Sequence, residues 1–166
     1  MITSVPVSWD TNDLSNLDYN IGSITTPELY KEAGHCMSSL QIHNYFEPNP
    51  MPEGVLDVKK YFNFLDHCTL AINMLAPGEY LPMHSDAYKA WMKVFNVTSV
   101  DRIFRAVIMV EDRKFGQFNE VGDEVISNWK AGDCISWLGT TRHSAYNFNT
   151  VPRYAIQLTG LIKSRY

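Results

Sequence analysis

Two histidines and a carboxylate stand where an open metal site would need them. In PGEYLPMHSD, residues 77–86, His84 and Asp86 are two positions apart and follow a Pro-Gly turn. On an extended strand, side chains at i and i+2 point to the same face, so both can aim into one interior. Alone the pair carries little weight, because a chain with five histidines makes His-x-Asp by accident. The third donor is His143 in TTRHSAYNFN, residues 140–149; it follows the Gly132-Asp133 turn and an apolar strand, and so can begin the strand opposite His84. Two imidazoles and one carboxylate, with the remaining positions open, form the facial donor set that suits iron(II) and leaves room for a chelating molecule and dioxygen. Arg153 lies ten residues beyond His143, at the start of the last apolar strand. A guanidinium on a core strand is costly to bury without a partner, and its planar fork grips a carboxylate through parallel hydrogen bonds.

These residues need a β framework to bring them together. TLAINML (69–75), RIFRAVIMVED (102–112), VGDEVISNW (121–129), CISWL (134–138) and RYAIQLTGLI (153–162) read as strands, separated by Gly and Pro punctuation. In the last of them Tyr154, Ile156 and Leu158 alternate with Ala155, Gln157 and Thr159. Before the strands, VLDVKKYFNFLDH places Val55, Val58, Phe62 and Leu65 at helical spacing. Helical spacing returns in AYKAWMKVFN (87–96), and a short helix is expected near Pro27. Residues 1–50 otherwise suggest irregular structure with a few edge strands. The expected fold is mainly β: a double-stranded β-helix (a jelly-roll, cupin-like barrel) with one or two helices packed outside. A single domain over residues 1–166 is expected, with the barrel core at 69–162.

His-x-Asp, a distant His, then Arg ten residues later resembles the pattern of the iron(II)/2-oxoglutarate-dependent oxygenases. PGEYLPMHSD resembles the approach to the metal in prolyl 4-hydroxylase-like and aspartyl β-hydroxylase-like members. NWKAGDCISWLGTTRHSAYNFNTVPRYAIQLTG resembles their final strands. The likeness spans residues 69–162, and in size the chain is similar to short bacteriophage-encoded members. It implies that His84, Asp86 and His143 ligate iron(II), and that Arg153 binds the 5-carboxylate of 2-oxoglutarate. Dioxygen would be the second co-substrate, and a C–H bond of a peptide side chain or small molecule would be hydroxylated with release of succinate and CO2. Arg105 matches a second co-substrate arginine of the aspartyl-hydroxylase-like group; Tyr80, Asn73 and Asn147 are lesser candidates for the same pocket. Prolyl 4-hydroxylases commonly carry Lys where this chain has Arg153, which argues against proline as the substrate. Tyr146 and Phe148 are candidates to wall the pocket, as is Trp137, for which a plain core role is the leading expectation. Segment 87–101, with Tyr88, Trp91, Met92 and Phe95, is expected either to cover the site as a lid or to pack an apolar helix face on the barrel. Two other readings are a cupin-like protein with a different metal and a non-enzymatic β-barrel interaction module.

Composition narrows the partners. Fourteen basic against eighteen acidic residues give a net charge of −4, with no basic run of the kind phosphate contact needs, so no nucleic-acid partner is expected. MITSVPVSWD lacks a charged and then apolar leader, and no apolar stretch reaches membrane-spanning length, so a cytoplasmic protein is expected, of a cell or of a phage host. Cys36, Cys68 and Cys134 are widely spaced and suggest buried free thiols rather than a disulfide framework or a thiolate zinc site.

Overall fold

The computed structural model describes residues 4–22 and 27–164. Among these residues, ten antiparallel strands form two sheets. The larger contains β1 (Asn20–Ile21), β2 (His43–Phe46), β3 (Leu65–Leu75), β5 (Ile103–Met109), β8 (Cys134–Leu138) and β10 (Arg153–Ile162), in the order β1-β2-β3-β10-β5-β8. The smaller contains β4 (Tyr80–His84), β6 (Gln117–Val121), β7 (Glu124–Ile126) and β9 (His143–Asn147), in the order β4-β9-β6-β7. Strands cross between the sheets as the chain proceeds, which makes this a double-stranded β-helix. Helices are few and short: α1 (Thr11–Ser15), α2 (Pro27–Glu32), α3 (Glu53–Leu56), extended by a 3-10 helix over Asp57–Phe62, and α4 (Lys89–Phe95). Among the described residues, no helix is long and apolar enough to cross a membrane.

The period-2 alternation of the central strands divides two environments. Leu70 and Ile72 of β3, Phe104, Ala106 and Ile108 of β5, and Ile156 and Leu158 of β10 face outward from the barrel into the main hydrophobic cluster. That cluster is completed by Val5, Trp9 and Leu14 from the N-terminal segment and by Met51, Val55, Val58 and Phe62 around α3. Burying one such side chain contributes roughly 1.5–3 kcal/mol. The alternate positions Asn73, Leu75, Arg105, Val107, Arg153, Ala155 and Gln157 face inward and line a cavity of about 440 Å³. Gly54 marks where α3 crosses the N-terminal segment: a Cβ there would lie 1.9 Å from the Ser8 carbonyl oxygen.

The last strand runs over 153–162, as its alternation predicts. Two other readings need correction. The helical spacing that includes Leu65 overruns: the 3-10 helix stops at Phe62, and Leu65 already begins β3, paired with Ile162. Leu65 is buried in either geometry, so its hydrophobicity does not distinguish them. The alternation over 121–129 is no single strand. Gly122, at φ +59°, turns the chain between β6 and β7, and β7 ends at Ile126.

The cysteines also depart from expectation, since Cys36 is exposed while Cys68 and Cys134 are half-buried, and all three are free. Hydrogen bonds from Ser38 and Ser39 pull the Cys36 thiol down, whereas burial pushes Cys68 up to about 11 and Cys134 up to about 12. Thiolate is the reactive form. One thiol should therefore react promptly with a disulfide reagent in the folded protein, and three after denaturation in urea.

Candidate metal centre

The three candidate ligands converge at the junction of the two sheets. β4 and β9 pair in a register that sets His84 opposite His143, with ring centroids 4.3 Å apart. Asp86 lies two residues beyond the end of β4, so no ladder hydrogen bond fixes it. One ligand atom from each of the three residues falls within 4.8 Å of the others. His84 Nε2 is 3.9 Å from Asp86 Oδ1, and His143 Nε2 is 3.7 Å from Asp86 Oδ2.

The hydrogen bonds of the imidazoles decide their tautomers. His84 Nδ1 is 2.8 Å from the Pro82 carbonyl oxygen, and His143 Nδ1 is 2.9 Å from that of Thr141. A carbonyl oxygen only accepts, so each Nδ1 carries a proton, and each Nε2 is left facing Asp86. This is the backbone support that metal-binding histidines characteristically receive. Burial, reinforced by the neighbouring His84, pushes the His143 pKa down to about 4. His143 is thus neutral, the form that can ligate, throughout the ordinary pH range. Trp137 packs against it with ring centroids 4.4 Å apart.

Arg153 reaches across the barrel from β10 to the smaller sheet. Its Nη1 donates to the carbonyl oxygens of Phe118 at 3.1 Å and Tyr146 at 2.9 Å, and its Nη2 to Asn119 Oδ1 at 2.8 Å. The guanidinium carbon lies 4.8 Å from the centroid of Trp129. Among the described residues no carboxylate pairs with it, and burial lowers its pKa to about 10, which leaves it charged at neutral pH. Arg105, on β5, lines the same cavity and donates from Nη2 to Asp86 Oδ2 at 2.9 Å. The lining therefore holds two guanidiniums, Arg105 and Arg153, against the single carboxylate of Asp86. A protein of net charge −4 encloses a positive cavity. Arg105 Nε, Asn119 Nδ2 and Trp137 Nε1 are buried there with no hydrogen-bond partner.

The lesser candidates separate. Asn73 lines the cavity and donates to Asn44 Oδ1 at 2.7 Å. Tyr80 does not line it: its hydroxyl is 3.0 Å from His35 Nδ1, and its ring stacks on Tyr146 at 5.6 Å. Tyr146 and Phe148 join that aromatic row and likewise stand outside the lining, whereas Trp137, expected first as a core residue, is in it.

Asn147 is also outside, and its amide has a structural task. Nδ2 donates to the carbonyls of Leu75, Ala76 and Val151 while Oδ1 accepts from Gln117. It ties the Pro-Gly turn that leads into β4 to the strand carrying His143. Asn147→Ala should lower unfolding stability by about 2–4 kcal/mol, since the fully buried Asn147 amide is removed and the carbonyls it bonds lose their donor; a urea melt measures it.

Four residues that no motif suggests complete the cavity: Tyr30 from α2, and Ile42, Asn44 and Phe46 in and before β2. They come from the segment with no family likeness. Of segment 87–101 only Ala87 is in the lining. Trp91 Nε1 donates to Thr69 Oγ1 at 3.0 Å, and Phe95 stacks on His67 at 4.9 Å, so α4 packs against the start of β3.

Fold and donor cluster together define a double-stranded β-helix protein with a candidate metal centre in its cavity. No protein-family model matches the sequence, and no curated protein does. Solved structures similar to it include a predicted oxalate decarboxylase from Thermotoga maritima, at 12% identity and TM-score 0.44 over 73% of this chain and 81% of that one. A cupin 2 conserved barrel domain protein from Salinispora arenicola is similar at 12% identity and TM-score 0.43, over 72% and 75% of the two chains. A cupin protein from Bacteroides fragilis is similar at 16% identity and TM-score 0.42, over 61% and 72%.

Proposed function

We propose that this protein is an iron(II)- and 2-oxoglutarate-dependent oxygenase that hydroxylates a peptide side chain or small molecule. The observation that carries this reading is the pairing, in one cavity, of a two-histidine, one-carboxylate cluster with two guanidiniums. His84, Asp86 and His143 fit a divalent metal through two oriented Nε2 lone pairs and a carboxylate, the mixed donor set of non-haem iron sites. Bound there with 2-oxoglutarate, iron(II) supplies dioxygen activation coupled to decarboxylation to succinate and CO2, with one oxygen atom passing to the substrate C–H bond. The protein's own work is positioning. Pro82 and Thr141 hold the imidazole tautomers, and Arg153 offers a buried cation to the far carboxylate of the co-substrate. Arg105 and Asn73, in the same lining, are secondary contacts for it. Ile42, Phe46 and Leu81 give the cavity an apolar wall.

A cupin-like metal protein is the second reading, favoured by one specific observation. Both Nη atoms of Arg153 already donate to protein oxygens, so that guanidinium has partners without any co-substrate. Anaerobic addition of 2-oxoglutarate to the iron(II)-loaded protein separates the two. The oxygenase reading expects a visible charge-transfer band from the chelate. Iron uptake without a band leaves the cupin-like reading standing, and no iron uptake turns the search toward another metal or a binding role.

A further inference from the structure

Asp86 is the ligand that the sheets do not hold. His84 ends β4 and His143 begins β9, but Asp86 follows the last ladder pair. Its carboxylate is nevertheless held, by Arg105 Nη2 at 2.9 Å. Over that guanidinium lies the ring of Tyr88, with its centroid 5.0 Å from Arg105 Cζ, a cation–π arrangement. Tyr88 is only two residues beyond Asp86, so the contacts close a loop: carboxylate, guanidinium, aromatic ring and back along the chain to the carboxylate.

The chain adopts an uncommon conformation to close it. Tyr88 has φ +51° and ψ +14°, in the left-handed region that a bulky L-residue enters at a cost of about 1–2 kcal/mol. It is 7% exposed. Such a conformation persists where surrounding contacts impose it, and α4 supplies them. The helix starts immediately after Tyr88, with Met92 N donating to the Tyr88 carbonyl at 2.8 Å. It is pinned to β3 through the Trp91–Thr69 hydrogen bond and the Phe95–His67 stack.

We propose that Tyr88 and Arg105 are positioning residues that hold the Asp86 carboxylate in the donor cluster, and that segment 87–101 serves to anchor this brace. The proposal rests on the metal reading of the His84–Asp86–His143 cluster. It makes a prediction whose sign is diagnostic. By charge alone, deleting a cation beside the cluster raises affinity for a dication. Lost affinity in Arg105→Ala therefore reports lost orientation of Asp86.

The test uses cobalt(II) alone as the probe, under anaerobic conditions, reading both affinity and the visible d–d spectrum. Arg105→Ala and Tyr88→Ala should bind cobalt about 10–100-fold more weakly, as changes to residues supporting metal ligands do. Their spectra should move toward that of Asp86→Ala. Tyr88→Phe keeps the ring and should match the wild type in both readouts. Arg105→Met, which conserves volume, replaces Arg105→Ala if the latter melts too low to titrate. Arg105 variants that bind cobalt as tightly as the wild type, or more tightly, with its spectrum overturn the brace and leave the metal site standing. A wild-type protein that takes up no cobalt overturns the metal reading and the brace together.

Discussion

Replacing His143 by alanine is expected to abolish metal uptake, weakening iron(II) affinity by at least about a hundredfold while the barrel stays folded. Loss of a residue that merely supports a ligand costs 10–100-fold, so loss of the ligand itself should cost at least the upper figure. Three arguments single out this position. Its Nδ1–H is committed to the Thr141 carbonyl, so no tautomer shift lets another atom substitute for Nε2. It stands opposite His84 in the β4–β9 ladder, so the pair is preset by backbone pairing. Its pKa, pushed down to about 4 by burial, leaves no proton to displace at neutral pH. Uptake should then be indifferent to His143 protonation from about pH 7 to pH 5, and should fail as pH falls through about 4. Competition against a chromophoric chelator measures the affinity, and circular dichroism checks the fold. Undiminished uptake in His143→Ala would remove this cluster as the site.

The second large effect is on stability. Arg153→Ala should lower the unfolding free energy by about 3–5 kcal/mol, because a buried group bonded across two sheets is removed and its acceptors stay behind. The carbonyls of Phe118 and Tyr146 and the side-chain oxygen of Asn119 all lose a donor, and Trp129 loses the guanidinium packed over its ring. At about 2–4 °C per kcal/mol for a chain of this size, the melting temperature should fall by roughly 6–20 °C. Arg153→Lys keeps a charge, but its single ammonium cannot span acceptors on both β6 and β9, so it should recover only part of the loss. Under the oxygenase reading the lysine variant also needs more 2-oxoglutarate to form the iron chelate. Calorimetry of both variants, with and without 2-oxoglutarate, separates the structural role from the binding role. An alanine variant as stable as the wild type would show that Arg153 does not tie the sheets together.

The elements carrying the cluster were legible because their signals are local. His84 and Asp86 follow a Pro-Gly turn; His143 follows a Gly-Asp turn and an apolar strand; and the alternation of 153–162 matches the last strand. What was not legible depends on distant partners. Tyr30, Ile42, Asn44 and Phe46 reach the cavity only because β2 adds to the edge of the larger sheet. Nothing in their own spacing announces that. Tyr80 and Asn147 sit near the motifs in sequence, yet the one stacks in an aromatic row and the other anchors a turn. The pairing of Arg105 with Asp86 spans a whole helical segment, and only the fold brings the two together.

Because the two faces of the central strands serve different ends, this barrel has room to change its cavity. The outward-facing leucines, isoleucines and phenylalanines, packed against the N-terminal segment and α3, form the hydrophobic cluster. The inward positions enclose a hollow. A substitution at Val107, Ala155 or Gln157 reshapes the hollow without touching that outer packing, so new side chains can be tried there at small risk of unfolding. Such a scaffold is well suited to diversification and to redesign, with Arg153, Arg105 and Asn73 exceptions among its inward residues because each is bonded to another element.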